Sequence, residues 1–228
     1  MRLERYLRDL LTFPADAAFG WRNEGWRGVW REVRERTLVR VYRRTRFYLI
    51  DQDLHAVNDV PPPAGVVIEP FEGEWERLAP VATRRQRDRF RRIAGADRVC
   101  LVAWRGSEPI GYTWYSLRIE PRVETYDLPL PADATYGWGL YVPPAERGGG
   151  IGSALVTARL RHARERGFRR SWRIVAVRNA AALRTVEKAV GSGSRVLGEV
   201  DFLKLGGRHR THFRPRDPSQ GLTTGAAG

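Results

Sequence analysis

The sequence predicts an α/β or α+β fold, a mixed β-sheet flanked by helices and preceded by a helical, basic N-terminal extension. Two observations carry this expectation. After residue 60, β-rich runs and helical patterns follow in the order β, α, β, β, β, α, β, α, β, β, which has too many consecutive strands for a regular βα alternation. In addition, 42% apolar side chains over 228 residues suffice for one sizeable core with an appendage. The expected division is an N-terminal helical extension with one added strand over 1–60, the main domain over 61–213, and a disordered tail over 214–228.

The extension opens with an amphipathic stretch, Arg2 to Leu11, followed by an aromatic loop with Phe13-Pro14, Trp21, Trp26 and Trp30. Arg31 to Tyr42 reads as a helix, with Val33, Leu38, Val39 and Tyr42 as its stripe and Arg34, Arg36, Arg40, Arg43 and Arg44 as a basic face. Arg46 to Asp51 reads as a strand. Pro61-Pro62-Pro63-Ala64-Gly65 is a stiff punctuator and marks the boundary. Beyond it, strand Val66 to Phe71 leads into a helix from Glu74 to about Ile93. Strands Val99 to Trp104 and Ile110 to Leu117 form a hairpin, because a short glycine-containing turn joins two β-rich runs.

A proline-rich polar loop, Glu120 to Ala134, is long enough to serve a function and precedes an aromatic strand, Tyr136 to Val142. A glycine cluster then opens a helix that runs to Arg166 and stops at Gly167. Strand Ser171 to Val177 follows. The helix Ala180 to Val190 begins after Asn179, a favourable N-cap, and aligns Leu183, Val186 and Val190 on one face. Arg195 to Leu205 and Arg208 to Phe213 pair as a hairpin about Gly206-Gly207.

Net charge is +14, and lysine occurs only at Lys188 and Lys204, so the excess is almost all arginine. Residues 131–228 hold 17 basic and 7 acidic groups, so +10 of the total lies there, and an anionic ligand is expected in that half. No apolar run is long enough to span a bilayer. The start Met1-Arg2-Leu3-Glu4-Arg5 has no signal-peptide h-region, and a cytoplasmic protein is expected. The single cysteine, Cys100, precludes an intramolecular disulfide and a cysteine cluster for a metal; inside Val99-Cys100-Leu101-Val102-Ala103 it reads as a small hydrophobe.

The informative segment is Leu140-Tyr141-Val142-Pro143-Pro144-Ala145-Glu146-Arg147-Gly148-Gly149-Gly150-Ile151-Gly152-Ser153. A strand runs into a glycine-rich turn that opens a helix, so unpaired first-turn N–H groups and the positive dipole end form an anion site. Glycines allow a pyrophosphate close to the backbone, and Arg147 adds charge. A Walker loop would need Gly-Lys-Ser/Thr; the dinucleotide fingerprint counted from Gly150 ends at Leu155 and lacks its third small residue, and counted from Gly148 it ends at Ser153, so neither pattern fits well.

The spacing Arg147-x-x-Gly150-x-Gly152 resembles the pyrophosphate signature of the GNAT acyltransferases, and Leu140-Tyr141-Val142-Pro143 is similar to the strand that leads into it. Asn179, with Ala182 and Glu187-Lys188 ahead of Gly191, resembles the family's second signature. The resemblance covers roughly residues 66–213. It implies a twisted mixed sheet whose fourth and fifth core strands part to admit the pantetheine arm of acetyl-CoA or another acyl-CoA. It also implies that Arg147, Gly148, Gly149, Gly150, Ile151, Gly152 and Ser153 cradle the pyrophosphate. Leu140, Tyr141 and Val142 would line the arm, with the backbones of Leu140 and Val142 pairing with it and polarising the thioester carbonyl; Asn179 would touch the arm or be a plain helix cap. The acceptor would be a small-molecule or protein amine.

Two departures leave catalysis open. Relatives carry a tyrosine on the helix after the asparagine, where this chain has Thr185 and Val186, and no Asp or Glu lies between Thr135 and Val142. Tyr136 and Tyr141, with Glu120, Glu124 and Asp127, are the remaining candidates for a proton carrier. Positioning and carbonyl polarisation are expected to supply most of the acceleration. Six arginines between Arg84 and Arg92 read as a solvated face or as a surface for an acidic partner, such as an acyl carrier protein. Nucleic acid is the less favoured alternative, since no RNP-like or zinc-finger motif accompanies the charge.

Overall fold

The computed structural model describes residues 2–58, 60–119, 130–206 and 208–216. Eight strands form one sheet: β1 (Tyr42–Asp53), β2 (Val66–Pro70), β3 (Arg98–Arg105), β4 (Glu108–Ser116), β5 (Ala134–Tyr141), β6 (Arg170–Ala176), β7 (Ser194–Leu205) and β8 (Arg208–Pro215). Their spatial order is β2-β3-β4-β5-β6-β1-β7-β8. All neighbours are antiparallel except β5 and β6, which run parallel. The result is the mixed sheet that the order of elements predicts.

The strand of the N-terminal extension is an interior strand, paired on one side with β6 (Phe47↔Ala176) and on the other with β7 (Tyr42↔Leu205). Its residues are apolar toward both faces, which suits a strand covered on both sides: Phe47 and Leu49 pack with Val200 and Phe202, while Ile50 packs with Val175 and Val196. The prolines at 61–63 therefore separate two segments of one sheet. β8 extends to Pro215, opposite Gly198, so Arg214 and Pro215 are strand residues and not the start of a disordered tail. Residues 217–228 lie outside the described residues.

Among the described residues the helices are α1 (Arg2–Glu24), α2 (Trp26–Arg36), α3 (Leu38–Val41), α4 (Arg84–Ile93), α5 (Ile151–Glu165) and α6 (Ala180–Val190). The segment expected as an aromatic loop is thus helical, and the helix expected over Arg31 to Tyr42 gives way to strand at Tyr42. The buried stripe of α1 is Thr12, Asp16, Phe19 and Gly20, a helical spacing with polar and side-chain-free residues where an apolar pattern would show. Gly20 and Gly28 let α1 and α2 cross backbone to backbone, and Gly25 makes the turn at φ +58°. Asp16, fully buried, is ion-paired to Arg36 of α2.

The helix expected over Glu74 to Ile93 is also interrupted. A 3-10 turn, Trp75–Leu78, comes first, and α4 starts only after Pro80. A capping box fixes that start: the Thr83 hydroxyl accepts from Gln86 N–H (3.2 Å) and the Gln86 side chain accepts from Thr83 N–H (2.8 Å).

The sheet has a helical layer on each face. Cys100, Val102, Trp104, Tyr112 and Trp114 pack with Phe90 of α4, whereas the alternate residues Leu101, Ala103 and Tyr115 pack beneath Leu155, Val156 and Leu160 of α5. Leu183 and Val186 bring α6 onto the same face as α5.

Candidate active site

β5 and β6 pair only at Ala134↔Arg170, Thr135↔Ser171 and Tyr136↔Trp172. Past that point β5 stays with β4 up to Tyr141 and β6 stays with β1 up to Ala176, so the two parallel strands part in a wedge. The edge of β5 from Gly137 to Tyr141 that faces β6 has no strand partner, and its main-chain groups are available to an extended ligand. A bulge shapes this edge. The register slips from Trp114↔Trp138 to Tyr112↔Tyr141, one residue longer on β5, with Gly139 at φ +66°. Leu140 therefore turns toward Ile151 and Leu155 of α5, and Tyr141 toward the aromatic cluster beside α4.

After Val142, a 3-10 turn, Pro144–Glu146, leads to Arg147 and the glycines. Gly148 (φ +89°) and Gly150 (φ +86°) are left-handed, which any side chain would strain. Nothing lies within 4 Å of where a Cβ on Gly148 or Gly149 would point, so internal packing does not exclude side chains there and the turn is open on its outer side. No side chain caps α5, and the first helical bond from its start is Ala154 N–H to Gly150 O (3.0 Å). The N–H groups of Ile151, Gly152 and Ser153 thus have no acceptor in the helix. Turn and helix start meet at the mouth of the wedge, a geometry that suits a phosphate.

Arg147 is anchored at this mouth: its Nε donates to Val142 O (2.9 Å), and its Nη2 lies 3.7 Å from a Glu24 carboxylate oxygen at the end of α1. Glu24 also pairs with Arg31 of α2. The N-terminal helices thereby close over Tyr141, whose ring lies 6.5 Å from that of Phe19. The Tyr141 hydroxyl is buried without a hydrogen-bond partner. Burial, reinforced by the Glu24 charge, raises its pKa, so the phenol is neutral at neutral pH. Phe19 and Glu24 escaped the sequence reading because the segment carrying them did not look helical, and Arg31, although placed on a helix, had no local sign of its partner Glu24.

The remaining expected residues are dispersed. Tyr136 is buried at the last β5–β6 pair. Asn179 begins α6 as its N-cap, with its side-chain oxygen accepting from Ala182 N–H (3.1 Å). Glu120, Glu124 and Asp127 fall outside the described residues. On α4, Arg87 and Arg91 pair with Glu76, and Arg89 lies over the Trp138 ring at 5.7 Å. Much of that basic face is therefore engaged within the molecule. A cavity of about 710 Å³ bordered by Phe71, Trp75, Cys100 and His162 opens toward the other end of α5 and includes no residue of the glycine turn.

Two side chains that sequence reasoning missed lie at the fork of the wedge. Arg173 is the first residue of β6 past the last pair with β5, and Arg159 reaches down from α5 onto Gly137, the first such residue of β5. A Cβ on Gly137 would collide with the Arg159 guanidinium. The apolar stripe Ile151, Leu155 breaking off at Arg159 was the available signal.

A glycine turn with an uncapped helix start, at the head of two parallel strands that part, defines a mixed α/β protein with a cleft between β5 and β6. A sequence profile of the Acetyltransferase (GNAT) family matches residues 66–191, more than half of the chain. The chain belongs to that family. No curated protein sequence matches it. Among solved structures it is similar to a conserved protein of unknown function from Staphylococcus epidermidis (14% identity, TM-score 0.52), over 77% of this chain and 66% of that one. It is also similar to a Drosophila protein (14% identity, TM-score 0.50), over 78% of this chain and 57% of that one. A GCN5-related N-acetyltransferase from Sphaerobacter thermophilus aligns at 16% identity and TM-score 0.47, over 82% and 57% of the respective chains. The chain thus spans two thirds or less of the length of these proteins, and the likeness is one of fold.

Proposed function

We propose that this chain is a cytoplasmic N-acyltransferase that moves an acyl group, acetyl being the simplest, from acyl-CoA to an amine acceptor by direct attack in a ternary complex. The observation that carries this reading is the uncapped glycine turn at the open end of the β5–β6 wedge. Residues 148–153 would hold the pyrophosphate on main-chain N–H groups, and Arg147 would add a charge-assisted contact. The free edge of β5, with the main chain of Leu140 and Val142, would hold the pantetheine arm as an added strand would be held. The absence of side chains at Gly148 and Gly149 and the uncapped start of α5 fit such a ligand.

Bound acyl-CoA supplies an activated thioester carbonyl. The chain's own part is to fix that carbonyl against main-chain N–H groups near the bulge and to keep the acceptor nitrogen within reach, covered by the N-terminal helices. The attacking amine arrives neutral; its nitrogen bonds to the carbonyl carbon, the C–S bond breaks so that CoA leaves as the thiolate, and the proton lost by nitrogen passes to water. No described carboxylate projects from β5, and the Tyr141 phenol, held neutral by burial, is suited to orient the acceptor. The test is calorimetric titration of the full chain with CoA, acetyl-CoA and acylated carrier protein, in the wild type and in Gly150→Val. Saturable binding of a CoA thioester, lost in a folded Gly150→Val, supports the reading. If only carrier protein binds, CoA is the wrong donor; if neither binds, the cleft is not a donor site.

A further inference from the structure

Arg159 and Arg173 are buried, with relative exposures of 1% and 5%. Among the described residues neither makes an ion pair. Nε and Nη2 of Arg159 and Nε and Nη1 of Arg173 have no hydrogen-bond partner; the one side-chain contact is Arg159 Nη1 to Thr113 Oγ1 at 3.5 Å. Burial lowers the pKa of both, and Arg173 adds repulsion to Arg159. Arg173 is pushed down to about 10, which still leaves a cation at neutral pH.

Uncompensated buried charge of this kind is strongly unfavourable, and a folded protein keeps it where a ligand supplies the opposite charge. The surroundings are polar as well. Thr135 and Ser171 are directly opposed in the last rungs of β5 and β6, and Ser171 opposes Gln52 of β1. The side chains of all three are buried with unpaired oxygens. Ser171 lies two residues before Arg173 and shares its face of the sheet, the face covered by α5. Among the described residues the fork thus presents guanidiniums and hydroxyls and no carboxylate.

Its position identifies the ligand group. From Gly137 to Val142 the strand climbs about 16–20 Å to the glycine turn, so an anion at the fork is distinct from a phosphate at the mouth. We propose that Arg159 and Arg173 bind a carboxylate at the inner end of the cleft, and that the reaction therefore uses a carboxylate-bearing substrate. The inference rests on the acyl-CoA reading above. Two planar guanidiniums matched to a planar two-oxygen group explain the residue type as well as the charge. The carboxylate has two sources: the far end of a dicarboxylic acyl group on the donor, such as succinyl, or the acceptor, as in an amino acid.

The experiment compares succinyl-CoA with butyryl-CoA, which match in acyl length and differ in a terminal carboxylate against a methyl, by titration of the full-length wild type, Arg173→Met and Arg159→Met. The expected result is roughly tenfold or more tighter binding of succinyl-CoA, lost in both variants. If the carboxylate belongs to the acceptor, the two donors bind alike. Alanine, a monocarboxylic amino acid, then binds the CoA-saturated wild type at least about tenfold tighter than ethylamine, which lacks the carboxylate, and the variants lose that preference. A merely structural arginine pair would show neither preference, and its removal would lower the melting temperature. The site instead predicts an unchanged or raised melting temperature in the apo variants. Equal binding of all these pairs by a wild type that does bind CoA overturns the carboxylate site and leaves the donor reading intact. Absence of CoA binding overturns both. If a methionine variant fails to fold, the wild-type preference decides alone.

Discussion

At the outer end of the β5–β6 wedge, the groups that would face an anion are main-chain N–H groups of residues 148–153, in a turn open on its outer side and shaped by two left-handed glycines. At the inner end they are the guanidiniums of Arg159 and Arg173, buried under α5 with no described counter-ion. Water can satisfy the first set when no ligand is bound, so the turn costs the apo fold little. It cannot reach the second freely, so the fork holds part of the folding free energy in reserve until a ligand neutralises it. Damage to the outer end should therefore reduce affinity and spare stability, while neutralising the inner end should change selectivity and spare or improve stability.

The largest expected effect comes from Gly150→Val, which combines a β-branched residue at φ +86° with atoms placed where the phosphate would approach. Donor affinity should fall by more than about a hundredfold, equal to about 2.7 kcal/mol or more. Titration of a variant with a normal circular dichroism spectrum checks this, and retained affinity would remove the turn from the donor site.

Arg173→Met should raise the apo stability at pH 7 by about 1 to 4 kcal/mol, the range by which exchanging a buried ion pair for packed apolar side chains can stabilise, since here the charge removed has no described counter-ion. The pH dependence has a definite sign. The folded-state pKa, about 10, lies below the ordinary arginine value, so the penalty is present through neutral pH and is relieved only above about pH 10. The advantage of the methionine should shrink there. Denaturant melts at pH 7 and pH 10.5 test it, and a clear loss of stability at pH 7 would mean that the guanidinium is satisfied in the apo protein.

Arg147→Ala removes one charge-assisted contact and should weaken CoA binding by about 1.5 to 3 kcal/mol without moving the melting temperature. Glu24→Gln should act in the opposite direction and more weakly. The 3.7 Å pairing with Arg147 is at an exposed guanidinium, so releasing it should strengthen donor binding by less than about 1 kcal/mol. Parallel weakening in both variants would show that the N-terminal helices support the phosphate site instead of competing with it.

The smallest expected effect is on the rate with Tyr141→Phe, which should retain most of its turnover at saturating donor. If positioning dominates, the pH–rate profile follows the acceptor amine. A loss of about a hundredfold, with folding and donor affinity intact, would identify Tyr141 as the proton carrier.

The two ends also differ in how legible they are. The glycine turn can be read from residues 140–153 because its requirements are local: left-handed backbone at Gly148 and Gly150, and a strand leading into a helix. The fork cannot. Subtracting the two lysines from 40 basic residues leaves 38 arginines, among which Arg159 and Arg173 have no distinguishing neighbourhood. On β6 the alternation Trp172, Ile174, Ala176 against Ser171, Arg173, Val175 reads as an apolar inner face and a partly polar outer one. Only the packing of α5 and α6 over that second face turns Arg173 into a buried charge.

The N-terminal extension shows the same limit. Asp16 and Gly20 sit at buried helical positions, and no hydrophobic period reveals a helix whose contacts are an ion pair and a backbone crossing. The split of the helix expected over Glu74 to Ile93, by contrast, was within reach, since Pro80 and the Thr83–Gln86 box are local signals.

By itself the sequence determined the order of strands and helices after residue 60, the glycine turn that opens α5 and the family it resembles, because periodicity, glycine conformation and helix starts depend on neighbours a few residues away. Tertiary structure alone decided that β1 lies between β6 and β7, that β5 and β6 part after Tyr136, and that two arginines meet at the fork. Each of these joins residues far apart in the chain through strand pairing and burial. Such contacts are selected by the shape and charge of the whole core and leave no period along the chain.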